Sequence, residues 1–205
     1  MRPTEAQIAA LMRRDPVLGA ATKRLPSFPH FPVGILRGPY FQALARSIVY
    51  QQLATRAAGT IYGRVRRLAP GPHFPTPDQM LALSDEQLRG AGLSGNKAKA
   101  LRDLATKIVT GELRLRGIGR RDDDEVIRLL TTVWGIGEWT AQMFLIFKLG
   151  RLDVMPSGDL GVQEGLRILD GLDGRPSPDT VLARAEIWRP LRSVAAWYLW
   201  RLTDG

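Results

Sequence analysis

The 205-residue sequence contains no cysteine and only two histidines. The absence of cysteine excludes a disulfide framework, a thiolate nucleophile, a cysteine-bound zinc and an iron–sulfur cluster. His30 and His73 both lie in proline-rich stretches, which is typical of exposed loop residues rather than of a metal centre or a Ser-His-Asp triad. Catalysis or ligand binding in this protein must therefore use carboxylates, amides, aromatic rings or the backbone.

Long hydrophobic runs are also missing. The longest apolar stretch covers residues 141–147 and is interrupted by Gln142, so it is far too short to cross a bilayer. The first residues include Glu5 and Arg13 where a signal peptide needs an apolar segment. We therefore expect a cytoplasmic protein with no membrane partner, associated with the nucleoid if the source is bacterial.

Lysine is scarce, whereas arginine is abundant. The chain has 29 basic residues against 20 acidic ones, giving a net charge of +9. Arginine pairs with phosphate oxygens through two parallel hydrogen bonds and stacks on flat surfaces, which favours a polyanionic partner such as a nucleic acid. Codon usage alone also enriches arginine, so the charge by itself leaves both explanations open.

Helical periodicity dominates the chain, and no segment alternates as a strand would. Capping boxes begin helices at Thr4, Thr76 and Ser84, each paired with a glutamine three residues later. The spacing predicts ten or eleven short helices, while the Pro/Gly-rich stretch from Leu18 to Arg37 is expected to be irregular. The predicted fold is all-α, with about ten short helices. The other expected helices cover about residues 39–50, 55–68, 97–109, 122–130, 138–149, 159–169, 177–188 and 190–202.

The most informative stretch is Leu-Leu-Thr-Thr-Val-Trp-Gly-Ile-Gly-Glu-Trp-Thr-Ala, residues 129–141. One helix ends in Gly-Ile-Gly and the next begins at once. Gly135 and Gly137 permit positive φ and a close backbone approach, and the N–H groups that begin the second helix favour an anion such as phosphate. Taken alone, two glycines between helices also describe an ordinary tight turn.

With its flanking residues, this stretch resembles the helix-hairpin-helix motif of the DNA glycosylase superfamily. Residues 152–162, Leu-Asp-Val-Met-Pro-Ser-Gly-Asp-Leu-Gly-Val, are similar to the loop that carries the superfamily's aspartate. Residues 48–55, with Gln51 and Gln52, are similar to its glutamine-containing loop, and residues 188–200 match its closing segment. The resemblance covers most of the chain and is strongest to the alkyladenine branch (DNA-3-methyladenine glycosylase II) in its short all-helical form.

The resemblance implies two lobes flanking a DNA-binding cleft, within a single catalytic unit of residues 1–205. We place the lobes at 38–132, a central helical bundle, and at 1–37 together with 133–205, which contain the hairpin and the aspartate loop. Double-stranded damaged DNA is the implied partner, and a monomer is expected.

Asp159 is the catalytic candidate. After Gly158 it would also serve as a plain helix N-cap, and the two roles are compatible. Cleavage of an N-glycosidic bond builds positive charge on the sugar, as in glycoside hydrolysis. A fixed carboxylate stabilises that charge and orients or deprotonates the attacking water. Asp153 in the same loop matches no catalytic position and is expected to be structural.

The resemblance also assigns the base pocket. Trp139 and Trp200 match pocket aromatics, whose rings suit electron-poor alkylated purines, although core packing is the alternative for any tryptophan at helical spacing. Met143 stands where the family has a further aromatic ring, and a thioether stacks less well on a base. The family members that also cut the DNA strand carry a Schiff-base lysine where this chain has Trp139, so no lyase step is expected.

The resemblance suggests the wedge, whereas the helix starts themselves suggest the phosphate contacts. Leu53 matches the wedge that fills the space of a flipped base, with Gln51 and Gln52 beside it; the alternative is an ordinary loop. Phosphate contacts are expected at the hairpin and at a second helix start, where Lys97 and Lys99 form a pair that would otherwise be simply solvated. The residues concerned are Gly135, Ile136, Gly137, Thr140, Ser94 and Lys97.

No cofactor is required for this chemistry. Some hairpins of this kind bind Na⁺ or K⁺ through backbone carbonyls, which here would be those of Thr131, Val133 and Ile136. The expected activity is hydrolytic excision of alkylated bases such as 3-methyladenine and 7-methylguanine in base excision repair, leaving an abasic site. A non-catalytic helix-hairpin-helix DNA-binding module and a glycosylase for oxidised or deaminated bases are the alternatives.

Overall fold

The computed structural model describes residues 3–29 and 38–204. Over these residues it contains twelve α-helices and no β-strand, so the predicted all-α class is confirmed. None of the described helices is long and apolar enough to span a bilayer. The helices are α1 Glu5–Arg14, α2 Pro16–Thr22, α3 Tyr40–Tyr50, α4 Thr55–Arg66, α5 Pro77–Ala82, α6 Asp85–Gly90, α7 Gly95–Val109, α8 Asp123–Leu130, α9 Glu138–Met143, α10 Leu160–Asp170, α11 Pro178–Ala185 and α12 Arg192–Leu202.

Local capping explains where many of these helices begin. All three predicted capping boxes form, at Thr4, Thr76 and Ser84, and each satisfies a backbone N–H that the first turn leaves unpaired. Ser94 accepts a hydrogen bond from the Lys97 N–H at the start of α7. His73 is exposed in the loop before α5, as expected, while His30 lies outside the described residues.

The expectation of irregular structure from Leu18 onward is wrong for α2. The carboxylate of Asp15 accepts hydrogen bonds from the N–H groups of Val17 and Leu18, and Pro16 occupies the first helical turn. Proline is favourable at that position because its missing N–H would have no intrahelical partner. The helix that begins at Pro16 therefore continues through Leu18 to Thr22.

The described chain forms two compact units. One contains residues 3–29 and 145–204, and the other contains residues 38–144. The units change between Phe144 and Leu145, whereas the expected lobes changed at residue 132. The hairpin belongs to the 38–144 unit because its turn packs on α7: a Cβ at Gly135 would lie 3.0 Å from the Cβ of Ala100.

In the 38–144 unit, α7 packs against α3, α5 and α6, and α3 packs against α4. The apolar faces of α3 and α7 are fully buried, with Leu44, Ile48, Leu101 and Leu104 each 0% exposed. Burying side chains of this size stabilises a fold by about 1.5–3 kcal/mol each. This core fixes the helices from which the hairpin projects.

In the other unit, α10 packs on α12 and α2. The helix backbones touch at Gly165, where a Cβ would lie 2.2 Å from the carbonyl oxygen of Leu199. Trp188 is fully buried, and its indole N–H donates to Asp15 Oδ2 at 2.7 Å. Arg184 joins the same carboxylate at 2.7 Å. A packed core therefore supports the start of α10.

Candidate active site

A short turn of residues 131–137 joins α8 to α9. The Val133 N–H donates to Leu130 O at 3.1 Å, and the Ile136 N–H donates to Val133 O at 3.0 Å. The side chains of Val133 and Ile136 are 1% and 3% exposed. Two buried apolar residues and two backbone hydrogen bonds therefore hold the turn in one shape.

The two glycines of this turn differ. Gly135 has φ of +82°, a conformation that side chains disfavour. Gly137 has φ of −89°, so the expected positive φ does not occur there. Gly137 is the N-cap of α9, and nothing lies within 4 Å of the position a Cβ would take. At Gly137 the missing side chain keeps the approach to the helix start open.

The start of α9 is suited to an anion through its backbone. Gly137 provides no side-chain cap, and the first N–H groups of a helix have no intrahelical acceptor. Thr140 is buried, and its hydroxyl accepts from Gln51 Nε2 at 3.2 Å, so a phosphate contact at this position falls to the backbone N–H. The Glu138 carboxylate accepts from Gln142 Nε2 at 2.9 Å along the helix.

The glutamine loop is tied to the hairpin. Gln51 Nε2 donates to Gly135 O at 3.0 Å as well as to Thr140. Lys97 Nζ donates to the carbonyl oxygens of Val49 and Gln51 at 2.8 and 2.7 Å, and burial lowers the pKa of this lysine. Gln51 and Lys97 therefore join α3, α7 and the hairpin inside the 38–144 unit, so neither polar group simply projects into solvent.

The next two residues of the loop face outward. Gln52 has φ of +53°, the only positive φ at a non-glycine residue in the described chain. Such a conformation costs about 1–3 kcal/mol and persists only where the surroundings impose it. Leu53 follows with 38% of its surface exposed. A strained residue thus presents an exposed leucine just before α4.

Asp159 occupies the N-cap of α10. Its Oδ1 accepts hydrogen bonds from the Val162 N–H and from Trp200 Nε1, both at 2.8 Å. Hydrogen bonds to a carboxylate are short and about twice as strong as neutral ones. The residue is partly exposed. Asp159 is thus a fixed carboxylate that remains accessible.

The loop before Asp159 is rigid for several reasons. The Asp159 N–H donates to Pro156 O at 2.9 Å, and Gln163 Nε2 donates to Ser157 O at 2.9 Å. Asp153 accepts from Arg189 and Arg192, each at 2.9 Å. The structural role expected for Asp153 is therefore what the geometry supports.

Trp200 is positioned from two sides. Its ring stacks on Phe147 with centroids 5.6 Å apart and an interplanar angle of 27°. A Cβ at Gly161 would lie 2.9 Å from Trp200 Cδ1 and 3.1 Å from Asp159 Oδ1. Glycine at position 161 therefore gives the indole room to reach the carboxylate.

A family model described as HhH-GPD superfamily base excision DNA repair protein matches residues 45–190. This range contains the hairpin, the glutamine loop and Asp159. The chain belongs to the HhH-GPD superfamily. Three of the four sequence motifs that suggested the family are thus supported by both the geometry and the family match.

Individual members of the superfamily are similar over most of their length. DNA-3-methyladenine glycosylase 1 of Schizosaccharomyces pombe is 37% identical over 162 residues, which cover 78% of this chain and 71% of that protein. A structure of the S. pombe 3-methyladenine DNA glycosylase in complex with abasic DNA matches with a TM-score of 0.87 and 33% identity, covering 98% of both chains. A crystal structure of a Bacillus halodurans DNA-3-methyladenine glycosidase matches with a TM-score of 0.78 and 35% identity, covering 98% of this chain and 90% of that one.

The structure describes the predicted pocket residues Trp139, Met143 and Trp200 of this HhH-GPD protein, as well as the catalytic candidate Asp159. Trp139 and Met143 lie in the 38–144 unit, where Trp139 is 46% exposed and Met143 is 9% exposed. Asp159 and Trp200 lie in the other unit. Exposure of an indole at helical spacing argues against simple core packing for Trp139.

Two further aromatic residues had no predicted place. Trp197 packs edge-on against Phe28 and Tyr198, with centroids 5.7 and 4.9 Å away, and is a core residue. Tyr40 contacts Phe144 edge-on at 5.8 Å within the other unit.

The predicted carbonyl site for a monovalent cation can be tested for fit. Val133 O already accepts the Ile136 N–H, which leaves one of its two lone pairs for a ligand. The Thr131 hydroxyl donates to Ile127 O at 2.9 Å, so it does not occupy the turn's own carbonyls. The Val133 carbonyl oxygen is therefore compatible with the Na⁺ or K⁺ that the family resemblance implies, which would add positive charge for a phosphate.

Sequence reasoning missed several residues that shape this site in the HhH-GPD chain. Phe147 and Gly161 position Trp200, and Gln163 fastens the aspartate loop. A signal for Gly161 was present, because Gly161 and Gly165 lie one turn apart on α10, a spacing that lets helices approach closely. The contacts of Phe147 and Gln163 carry no comparable local signal.

Proposed function

We propose that the protein is a monofunctional DNA N-glycosylase that flips alkylated bases out of duplex DNA and hydrolyses their N-glycosidic bonds. The observation that carries the proposal is the fixed, accessible carboxylate of Asp159, held by the Val162 N–H and the Trp200 indole. Relatives named as 3-methyladenine DNA glycosylases support excision of alkylated bases in base excision repair, and the relative solved with abasic DNA supports DNA as the partner.

The mechanism follows from charge. As the bond to an alkylated purine breaks, positive charge develops on the deoxyribose, and a nearby carboxylate stabilises it. Because two donors already bind Asp159 Oδ1, the carboxylate needs little reorganisation when the charge forms. The same carboxylate orients a water for attack on the sugar carbon and takes up its proton. The alkylated base leaves with the electron pair of the broken C–N bond, which neutralises the positive charge that alkylation gave it.

Base flipping costs a few kcal/mol of stacking and pairing. The exposed Leu53, presented by the strained Gln52, suits the wedge that fills the vacated space and offsets part of that cost. Alkylated purines that carry positive charge gain from an indole face such as that of Trp139 or Trp200. The buried thioether of Met143 suits contact with the base more than stacking on it.

Strand cleavage is not part of the proposal, because a β-elimination step needs a free amine at the sugar. Trp139 occupies the hairpin position at which strand-cutting relatives carry lysine. The five lysines, Lys23, Lys97, Lys99, Lys107 and Lys148, all lie outside the hairpin.

A panel of single-lesion duplexes tests the whole proposal. Duplexes containing 7-methylguanine, hypoxanthine or 8-oxoguanine, together with methylated DNA as the source of 3-methyladenine, are incubated with the protein and analysed with and without alkali. We expect strand breaks at alkylated bases only after alkali. Breaks without alkali would contradict the monofunctional assignment. Preferential release of 8-oxoguanine or hypoxanthine would favour the alternative substrate class, and binding without any abasic product would favour a DNA-binding module.

A further inference from the structure

Trp134, at the tip of the hairpin, is exposed over 40% of its surface. The ammonium of Lys99, on α7, lies 4.3 Å from the centroid of the indole ring. A cation placed over an indole face at the surface gains about 0.5–1 kcal/mol. This attraction favours a position of the lysine ammonium beside the hairpin.

The tryptophan is itself held firmly on α7. Its backbone N–H donates to Asp103 Oδ2 at 2.7 Å, and the adjoining Gly135 approaches Ala100 so closely that a Cβ would lie 3.0 Å from the alanine Cβ. The backbone at Trp134 and Gly135 is therefore fixed on α7, and the indole is exposed at this fixed position.

The charge of Lys99 is not neutralised by an ion pair. Among the residues that the structure describes, no carboxylate oxygen lies within 4.0 Å of its ammonium, and Asp103, one turn further along α7, is engaged by the Trp134 N–H. Lys107 on the same helix differs, since it pairs with Glu112 at 3.2 Å. Lys97 also differs, because its ammonium binds two carbonyl oxygens inside the unit. The two lysines that the sequence groups together thus have separate roles.

We propose that Lys99, positioned by Trp134, forms a second phosphate contact to the DNA strand whose backbone binds at the hairpin turn. Trp134 precedes Gly137 by three residues, at most about 11 Å of extended chain. A DNA strand carries one phosphate per 3.4 Å of helix axis, so a neighbouring phosphate lies within reach of the lysine. The exposed face and edge of the indole pack against the deoxyribose between them. This inference rests on the proposed function, because it takes DNA as the ligand.

The salt dependence of binding tests the contact. Binding to a duplex that contains a tetrahydrofuran abasic analogue is measured by fluorescence anisotropy at several salt concentrations. Each phosphate contact adds about 0.9 to the slope of log K against log [salt]. We expect Lys99→Gln to make the slope shallower by about 0.9, whereas the control Lys107→Gln leaves it unchanged. If Lys99→Gln and Lys107→Gln both show the wild-type slope of log K against log [salt], the proposal is wrong.

A double-mutant comparison tests the role of the tryptophan. We expect Trp134→Leu to weaken binding several-fold in the wild-type background and to have a smaller effect when Lys99 is already glutamine, because the two side chains act together. Trp134→Phe keeps an aromatic face and should recover part of the affinity. Equal effects of Trp134→Leu in both backgrounds would show that it does not act through Lys99.

The result can be separated from failure of the proposed function. Excision of 3-methyladenine by the wild-type protein, together with an unchanged salt slope for Lys99→Gln, would overturn only the contact. Absence of both excision and binding in the wild-type protein would overturn the proposed function as well.

Discussion

Gly161→Ala introduces a single methyl group beside Asp159. The added Cβ would lie 2.9 Å from Trp200 Cδ1, which is too short for two carbon atoms, and 3.1 Å from Asp159 Oδ1, which is a tight contact. The indole must move away to relieve the contact, which breaks or lengthens its 2.8 Å hydrogen bond to the carboxylate. The hydrogen bond from the Val162 N–H to Asp159 Oδ1 does not involve the indole and should remain.

The expected magnitudes follow from general values. Overpacking costs about 1–3 kcal/mol, while alanine in a helix is more favourable than glycine by about 0.8–1 kcal/mol, so the net loss of stability should be about 0–2 kcal/mol. A hydrogen bond to a charged group is worth about 1.5–3 kcal/mol. If all of that supports the transition state, excision should slow by about 10- to 150-fold.

The assay is single-turnover release of 7-methylguanine from methylated duplex DNA, with urea unfolding measured in parallel. Gly90→Ala is the matched control, because nothing lies within 4 Å of its Cβ position, and it should leave activity unchanged. Gly165→Ala should instead destabilise the fold, since its Cβ would lie 2.2 Å from Leu199 O. Wild-type excision by Gly161→Ala would refute the idea that Trp200 positions Asp159.

Three further predictions concern the wedge, the strand-cutting step and acid stability. Leu53→Ala should lower excision from duplex DNA about tenfold. It should change the free energy of unfolding by less than about 0.5 kcal/mol, because the side chain is exposed. Leu182 is equally exposed, and the control variant Leu182→Ala should change neither quantity. Trp139→Lys places an amine where strand-cutting relatives have one. We expect borohydride to trap a covalent adduct between DNA and this variant but not between DNA and the wild type. An adduct with the wild-type protein would contradict the monofunctional mechanism. Burial raises the pKa of Asp15, but hydrogen bonds from Leu18, Trp188 and Arg184 outweigh it and hold the pKa below its usual value. Its stabilising contribution is therefore complete above the unfolded-state pKa and is lost as the pH falls through the folded-state pKa. Asp15→Asn should be less stable than the wild type by about 1.5–3 kcal/mol at pH 6, and urea unfolding should show this difference shrinking as the pH falls through the folded-state pKa; a constant difference would contradict this.

Local sequence signals account well for the helices. Capping boxes and apolar spacing are short-range properties, and the structure realises them at Thr4, Thr76 and Ser84. The predictions of helix boundaries are wrong where one local pattern is compatible with two structures. Residues 18–22 belong to α2 although the Pro/Gly-rich stretch from Leu18 suggested irregular structure. The helix expected over residues 138–149 continues from α9 as a π-helical turn at Phe144–Lys148.

The functional site is predictable only in part, for a similar reason. The sequence motif predicts Asp159 as the catalytic residue, and its place after Gly158 predicts that it is a helix N-cap. Its hydrogen bond to Trp200 joins residues 41 positions apart, and the contact between Lys99 and Trp134 also depends on how the hairpin packs on α7. Such pairings are set by tertiary packing, so no periodicity or spacing in the sequence contains them.

The central claim is that the Asp159 carboxylate performs the chemistry. Asparagine is nearly as good an N-cap as aspartate and keeps an oxygen for the Val162 and Trp200 donors, so Asp159→Asn should fold normally and removes only the charge. We predict that this variant binds a tetrahydrofuran-containing duplex about as tightly as the wild type but releases 7-methylguanine at least about 10²-fold more slowly. Release at the wild-type rate would contradict the claim.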